Sequence, residues 1–225
     1  SEYGAMPTWD VSTVTDMSNA FKDKTEFNAD LSAWDVSNVT TMYRMFYKAT
    51  SFNADLSDWD VSSVTKMSDM FYKAASFNGD LSDWDVSSVT KMSRMFNDSS
   101  LSTGNYDNLL IGWSQLTLQQ GVAFSAADTN YCNGADARYL IIGNFGWTIT
   151  DGILAAGCEL TITNANIQTA INACLSIDPV NGLCSESKYG GSMPTWDVST
   201  VTDMSYAFKD KTEFNADLSS WDVSN

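Results

Sequence analysis

The chain has 225 residues, 44% of them hydrophobic and 12% aromatic, which is enough for one or two folded domains and too apolar for a disordered tail. Its net charge of −16, with only 12 basic residues, argues against nucleic acid and anionic membrane surfaces as partners, because both are bound through Lys and Arg. The absence of His removes the commonest general base and the commonest metal-binding imidazole.

The sequence also bears on where the chain resides. No apolar run approaches the length needed to cross a bilayer, so we expect no membrane insertion in this segment. There is neither a start Met nor a signal peptide, and we expect the chain to begin inside a longer or processed protein.

A 25-residue repeat occupies roughly the first hundred residues. The pattern fades after Phe96 and restarts at Met193. The first Trp of the restarted array lies 187 residues after the first Trp of the chain (196 − 9 = 187), so a larger unit is itself repeated. The tryptophans that mark the first array are Trp9, Trp34, Trp59 and Trp84.

Each repeat combines two apolar periods. In the second repeat, residues 31–36 place apolar side chains on one face and predict a short strand. Residues 42–49 have apolar side chains at i, i+3, i+4 and i+7 and predict a short helix, and the following "FNADLS" suits a bend. The pattern therefore predicts an α/β repeat fold, a solenoid of 25-residue strand–short helix coils. The residues that set the two periods are Leu31, Trp34, Val36, Met42, Met45, Phe46 and Ala49.

The repeat motif resembles that of a known family. The pattern L-x-x-W-x-V-S-x-V-T-x-M-x-x-M-F-x-x-A-x-x-F-N, with "VTTMYRMFYKA" at Val39–Ala49, is similar to the BspA-like leucine-rich repeats of bacterial and algal surface proteins, in their 25-residue Trp-Asp-Val-Ser variety. The likeness covers Met6–Ser100 and Met193–Asn225 and departs from the common pattern in having Met where Ile-Gly is usual. It implies a leucine-rich-repeat-like solenoid, a cell-surface location and a role in adhesion.

Helices and strands of another kind are predicted between the two arrays. The segment resembles the cap that closes such arrays, which predicts an α+β cap module covering the apolar end of the last repeat. A later helix, in "ITNANIQTAINACLS", has Thr163 or Asn164 as its predicted N-cap. The earlier predicted elements are helices at 105–116 and 136–144 and strands at 121–127 and 147–152.

We expect the chain to be one unit of a tandem array plus a piece of the next. "SEYGAMPTWDVSTVTDMS" at the start nearly matches "SKYGGSMPTWDVSTVTDMS" further on, so a capping helix is expected upstream of Ser1. The predicted divisions are a solenoid of four repeats at 1–100, its C-terminal cap at 101–156, a linker with the N-terminal cap of the next module at 157–192, and a second solenoid starting at 193–225.

Four cysteines and two sequons suggest an extracellular protein. Four cysteines allow three pairings, and their spacing favours Cys132–Cys158 and Cys174–Cys184, with reduced, buried thiols as the alternative. Disulfides would place the protein outside the cytosol. Asn38 in Asn-Val-Thr and Asn97 in Asn-Asp-Ser are candidate glycosylation sites if the source is a eukaryote.

Two rows of Asp recur with the repeat. Like charges at successive positions repel one another, so each row needs compensation. For the row at the bend, a calcium ion bound by oxygen ligands could compensate the charge. The alternative, which we favour, is hydrogen bonding to turn N–H groups. No other cofactor is expected. The calcium candidates are Asp30, Asp55 and Asp80, and the second row is Asp10, Asp35, Asp60 and Asp85.

The pattern argues against an enzyme and for a structural or adhesive role. Catalysis needs one asymmetric pocket with separated pKa values, whereas these aspartates occupy equivalent places in every repeat. We expect a non-catalytic extracellular protein, part of a cell-surface array or fibre, whose partners are neighbouring copies of the same module. The alternative is a calcium- or glycan-binding adhesin or lectin module that engages a glycan or a surface protein.

Overall fold

A computed structural model of the chain describes residues 6–158, 162–184 and 192–224. Residues 1–5, 159–161, 185–191 and 225 lie outside the described residues, as do the parts of the predicted divisions that fall on them. Within the described ranges, each helix is too short or too polar to cross a membrane.

The regular secondary structure lies mainly between the two arrays. Two parallel strands form one small sheet, in which Ala123 pairs with Thr148. These helices and strands are where the sequence predicts them, but the N-cap of the last helix is Asn166 rather than Thr163 or Asn164. The elements are α1 (Thr103–Trp113), β1 (Ala123–Ser125), α2 (Ala135–Phe145), β2 (Thr148–Thr150) and α3 (Ile167–Ile177), with short 3-10 helices at Met6–Thr8 and Met193–Thr195.

The predicted fold class is wrong. The chain does not form an α/β leucine-rich-repeat-like solenoid of strand–short helix coils with an α+β cap module. Residues 9–102 contain turns and isolated parallel bridges, such as Thr41 with Lys66, and no helix or multi-residue strand. The described part of the chain is instead an aromatic-rich compact fold with three α-helices and one two-stranded parallel sheet.

The stretch predicted as a short helix forms consecutive turns. Arg44 and Lys48 both have φ of +55°, which a right-handed helix cannot contain. The N–H groups of Met45 and Ala49 donate three residues back, to Met42 and Phe46. The alternate N–H groups donate to the next repeat, so the i→i−4 bonds of a helix never form. Apolar spacing alone does not distinguish these turns from a helix. The inter-repeat bonds are Arg44 to Ser68, Phe46 to Met70 and Lys48 to Tyr72.

Aromatic rings fill the core of the first array. Phe46 and Phe71 lie with ring centroids 5.5 Å apart and nearly parallel, and Phe46 also contacts Phe52 of its own repeat at 3.9 Å. The series ends where Phe124 of β1 meets Phe96 edge-on. Each Trp of the middle repeats donates its indole N–H to the preceding repeat, so the core is tied at its boundary as well as filled.

Helix α3 joins two hydrophobic cores. Ala173 belongs to the core that includes the first array and α2. Ile167, Ile171 and Cys174 belong to a second core, formed with the array that starts at Met193. The close approach of α2 and α3 requires a glycine, because a Cβ at Gly143 would lie 2.5 Å from the Ser176 side chain.

Candidate binding surface

Basic side chains are confined to one segment of each repeat. All eight Lys and Arg residues between positions 6 and 100 fall within 16–25, 41–50, 66–75 and 91–100, the segments that follow "VT". The aspartates of the "WDVS" segments lie elsewhere in each repeat. A chain with a net charge of −16 therefore carries a locally basic surface.

Two stacked tyrosines form the centre of this surface. The rings of Tyr47 and Tyr72 lie 5.1 Å apart, because the Lys48 N–H donates to the Tyr72 carbonyl and holds the two repeats in register. The Arg44 guanidinium lies 5.1 Å from the Tyr47 ring, and that of Arg94 lies 5.5 Å from the Tyr72 ring. We call this surface the tyrosine–arginine strip; it comprises Tyr47, Tyr72, Arg44, Arg94 and Asp69, with Lys22, Lys48 and Lys73 beside the rings.

A buried carboxylate links three successive repeats within the strip. Asp69 is almost fully buried, and its Oδ2 atom accepts from Arg44 and from Arg94, each at 3.1 Å. The hydrogen bond to Asp69 raises the pKa of the Arg44 guanidinium above its ordinary value. Because the two arginines come from the repeats on either side of Asp69, the cluster ties neighbouring repeats as well as placing cations at the surface.

The aspartate rows are compensated by turn N–H groups. In the bend row, Asp30, Asp55 and Asp80 each accept the backbone N–H of the Ser two residues later, at 2.9–3.0 Å. The same bond occurs at Asp10, Asp35, Asp60 and Asp85. These bonds lower the pKa of the Asp30 and Asp55 carboxyls. Among residues 6–158, 162–184 and 192–224, no group of three His, Cys, Asp or Glu side chains is placed to hold a metal ion.

The four cysteines form two disulfides, with the pairing that their spacing favours. Cys132 is bonded to Cys158, which ties the start of α2 to the chain after β2. Cys174 is bonded to Cys184, which closes the turn after α3. Such bonds persist in oxidising compartments, so they are consistent with an extracellular or surface protein.

The two sequons lie in different surroundings. Asn38 is exposed, and its side-chain amide donates to the Ser12 carbonyl at 2.8 Å. Asn97 is half-buried, and its side-chain oxygen accepts from the Ser125 hydroxyl at 2.6 Å. Glycosylation of either residue stays a prediction.

A buried ion pair supports the region beyond the first array. Both oxygens of Asp151 accept from the Arg138 guanidinium at 2.8 Å, and one of them also accepts from the Tyr106 hydroxyl at 2.7 Å. Burial, together with the charge of Asp151, raises the pKa of Tyr106 well above its ordinary value. All three groups are satisfied within the fold, so the cluster holds α1 and α2 to the end of β2.

Sequence reasoning missed both clusters. The strip had a signal, since Tyr47 and Tyr72, and likewise Arg44 and Arg94, occupy equivalent positions in different repeats. No sequence pattern indicated the pairing of Arg138 with Asp151, because neither residue belongs to a repeat.

A comparison with known families finds a match. The family described as "Mycoplasma protein of unknown function, DUF285" matches residues 2–109 and 177–225, which contain both arrays. No curated protein and no solved structure matches the chain.

Proposed function

This chain belongs to the DUF285 family of proteins of unknown function, and on that premise we propose that it is a non-catalytic extracellular structural or adhesive protein. Its modules would be strung in tandem on a cell surface or in a fibre. The observation that carries the proposal is the uniformity of contacts between repeats, in which equivalent atoms make equivalent bonds every 25 residues. A scaffold needs such regularity, whereas a catalytic site is singular.

Three further features support this role. The two disulfides favour a location outside the cytosol. The likeness of the repeat motif to BspA-like surface proteins favours a cell surface. The equivalent hydrogen-bonding of every aspartate in a row argues against two carboxylates with separated acid and base roles.

Localisation and imaging in the source cells test the proposal. Antibody against the chain should bind intact cells, peptide mapping without reductant should give the two disulfide-linked pairs, and electron microscopy of the full-length protein should show a regular succession of units. Free thiols together with antibody binding only after lysis would refute the extracellular role. Flexible, separated beads would favour a stalk or adhesin over a self-assembling fibre.

A second candidate function is the binding of an acidic glycan at the tyrosine–arginine strip. The exposed lysines at its margin, Lys48 and Lys73, are one repeat apart and are not paired with carboxylates within 4 Å in the described part of the chain. Regularly spaced cations match a polymer with regularly spaced anions. Calcium binding is not favoured, because the candidate carboxylates already accept turn N–H groups.

Retention on immobilised heparin tests this second function. The Lys48→Gln/Lys73→Gln double variant should elute at lower salt than the unmodified chain, because surface charge attraction is screened by salt. Lys24→Gln/Lys66→Gln is the matched control, since it removes the same charge from exposed lysines that lie outside the strip. Equal elution of the two double variants would show that the strip does not bind the polymer.

A further inference from the structure

The chain contains two nearly identical copies of one surface. Residues 193–225 repeat residues 6–38 with two differences, Tyr206 in place of Asn19 and Ser220 in place of Ala33. The copies therefore have the same capacity to pack against a neighbour. Among the described residues, a neighbouring segment covers the second copy and none covers the first.

Equivalent residues of the two copies differ in exposure. Trp196 is 3% exposed, whereas its counterpart Trp9 is 41% exposed. Ala207 is buried, and Ala20 is exposed. An open apolar depression lies beside Trp9 in the first copy. We call this surface of the first array the outer edge; it comprises Met6, Trp9, Val14, Ala20, Phe21 and Phe27.

In the second copy, the corresponding surface is covered by residues 162–184, which we call the α3 segment. Side chains of α3 pack on Met193 and Trp196 in one core. The Gln168 side-chain amide donates to the Ala207 carbonyl at 3.1 Å, and the Asn215 N–H donates to the Val180 carbonyl at 2.8 Å. The α3 segment therefore makes both apolar and hydrogen-bonding contacts with this surface of the second copy.

The α3 segment takes the place of a preceding repeat. Within the first array, the N–H of Thr40 donates to the Thr15 carbonyl of the repeat before it. At the equivalent place in the second copy, the side-chain oxygen of Asn164 accepts from the N–H groups of Thr202 at 2.8 Å and Asp203 at 3.0 Å. Asn164 thus supplies the acceptor that a repeat would supply.

At the outer edge, the backbone N–H groups of Thr15 and Asp16 correspond to those of Thr202 and Asp203, but no described residue takes the place of Asn164. No residue in the described ranges accepts from the backbone N–H of Thr15 or of Asp16. The α3 segment lies directly upstream of the second copy. An exposed row of backbone donors beside an open apolar surface favours association with a further segment.

The α3 segment is also two-sided. Ala173 packs in the core that contains α2, and Cys174 packs in the core of the second array. One segment thus connects the end of one unit to the start of the next. The same contact, repeated, would propagate from unit to unit as a heterologous interface.

We propose that the outer edge is covered by an additional copy of the α3 segment, supplied by another unit of the same protein, with the Asn164 equivalent accepting from Thr15 and Asp16. The contact presupposes the tandem array of the proposed function and identifies the joint between its units.

Hydrogen exchange of the unmodified chain tests the role of Asn164. Peptides that contain Asn19 or Tyr206 differ in mass, so mass spectrometry separates the two copies. The N–H groups of Thr202 and Asp203 should exchange at least tenfold more slowly than those of Thr15 and Asp16. Asn164→Ala should remove most of that difference, and an unchanged rate at Thr202 and Asp203 would overturn the assignment of Asn164 as the substitute acceptor.

A chain extended at its start tests the occupant. A copy of residues 157–184 placed before Ser1 should slow exchange at Thr15 and Asp16 to the rate of Thr202 and Asp203. The matched control carries Asn164→Ala in the added copy alone and should leave exchange at Thr15 and Asp16 fast. No slowing at Thr15 and Asp16 although the added Cys174–Cys184 disulfide has formed would overturn the proposal.

The outcome is separable from that of the proposed function. If exchange slows but the full-length protein shows no tandem array on cells, the array function fails and the contact stands. If an array is present and the extended chain shows no slowing, the joint between units is another surface.

Discussion

Replacing Asp151 by Asn should be among the most destabilising single changes in this protein. The Asp151 side chain is 2% exposed and that of Arg138 is 8% exposed, so the charge left on Arg138 could not be solvated by water. Asp151 accepts two bonds from the guanidinium and one from the Tyr106 hydroxyl, and an amide offers one oxygen and turns an NH2 group toward these donors.

The expected loss follows from the uncompensated charge. Breaking a buried pair by removing one partner costs about 3–5 kcal/mol. At ~2–4 °C per kcal/mol for a chain of this size, the melting temperature should fall by about 6–20 °C. Urea unfolding followed by Trp fluorescence should show a lower midpoint with little change in slope.

Two variants make the test specific to the ion pair. Asp60→Asn is the matched control, because Asp60 is exposed and an Asn there keeps an acceptor for the Ser62 N–H; its effect should stay within about 0.5 kcal/mol. Arg138→Met combined with Asp151→Leu should lose less than Asp151→Asn alone, because neither charge remains. A loss for Asp151→Asn no larger than that for Asp60→Asn would refute the reasoning.

Three further predictions concern protonation, calcium and backbone strain. The folded state raises the pKa of Tyr106, so its contribution to stability is fully present below the unfolded-state pKa of about 10 and is lost as pH rises above that value. Urea midpoints between pH 9 and 11.5 should therefore fall more steeply for the unmodified chain than for Tyr106→Phe. Parallel curves for the two proteins would contradict this. Melting temperatures with calcium and with a chelator should coincide, because Asp30, Asp55 and Asp80 already accept hydrogen bonds from turn N–H groups. A higher melting temperature with calcium would support a calcium site at these residues. Tyr206 and Asn19 occupy equivalent positions at φ of +63° and +62°, in the left-handed region where Asn is tolerated better than Tyr. Tyr206→Asn should therefore raise the free energy of unfolding by about 0.5–1 kcal/mol, and Asn19→Tyr should lower it. Effects of equal sign in urea unfolding would exclude backbone strain as the cause.

Several features of the core and of the regular structure could be read from the sequence. The 25-residue recurrence of Trp and Phe identifies side chains that the structure buries, such as Trp59 and Phe71. The helices and strands between the arrays also appear where local patterning predicts them. These features depend on which side chains avoid water and on local propensity, and both are properties of short stretches of sequence.

The backbone path and the candidate surface were decided by tertiary contacts. The spacing of Met42 and Phe46 fits a helix, but the Phe46 N–H donates to Met70 of the next repeat, and no pattern within one repeat specifies that acceptor. Asp69 is buried, and arginines from the repeats on both sides converge on it, an arrangement that no pattern within one repeat specifies.

The clearest case is a pair of identical residues in nearly identical sequence. Trp9 and Trp196 have the same neighbours along the chain, yet the first is 41% exposed and the second 3% exposed. The sequence by itself determined that both tryptophans lie in the same apolar repeat motif. Only the tertiary structure decided which one is covered, because burial depends on whether another segment, here the α3 segment, reaches the surface and supplies its missing acceptors.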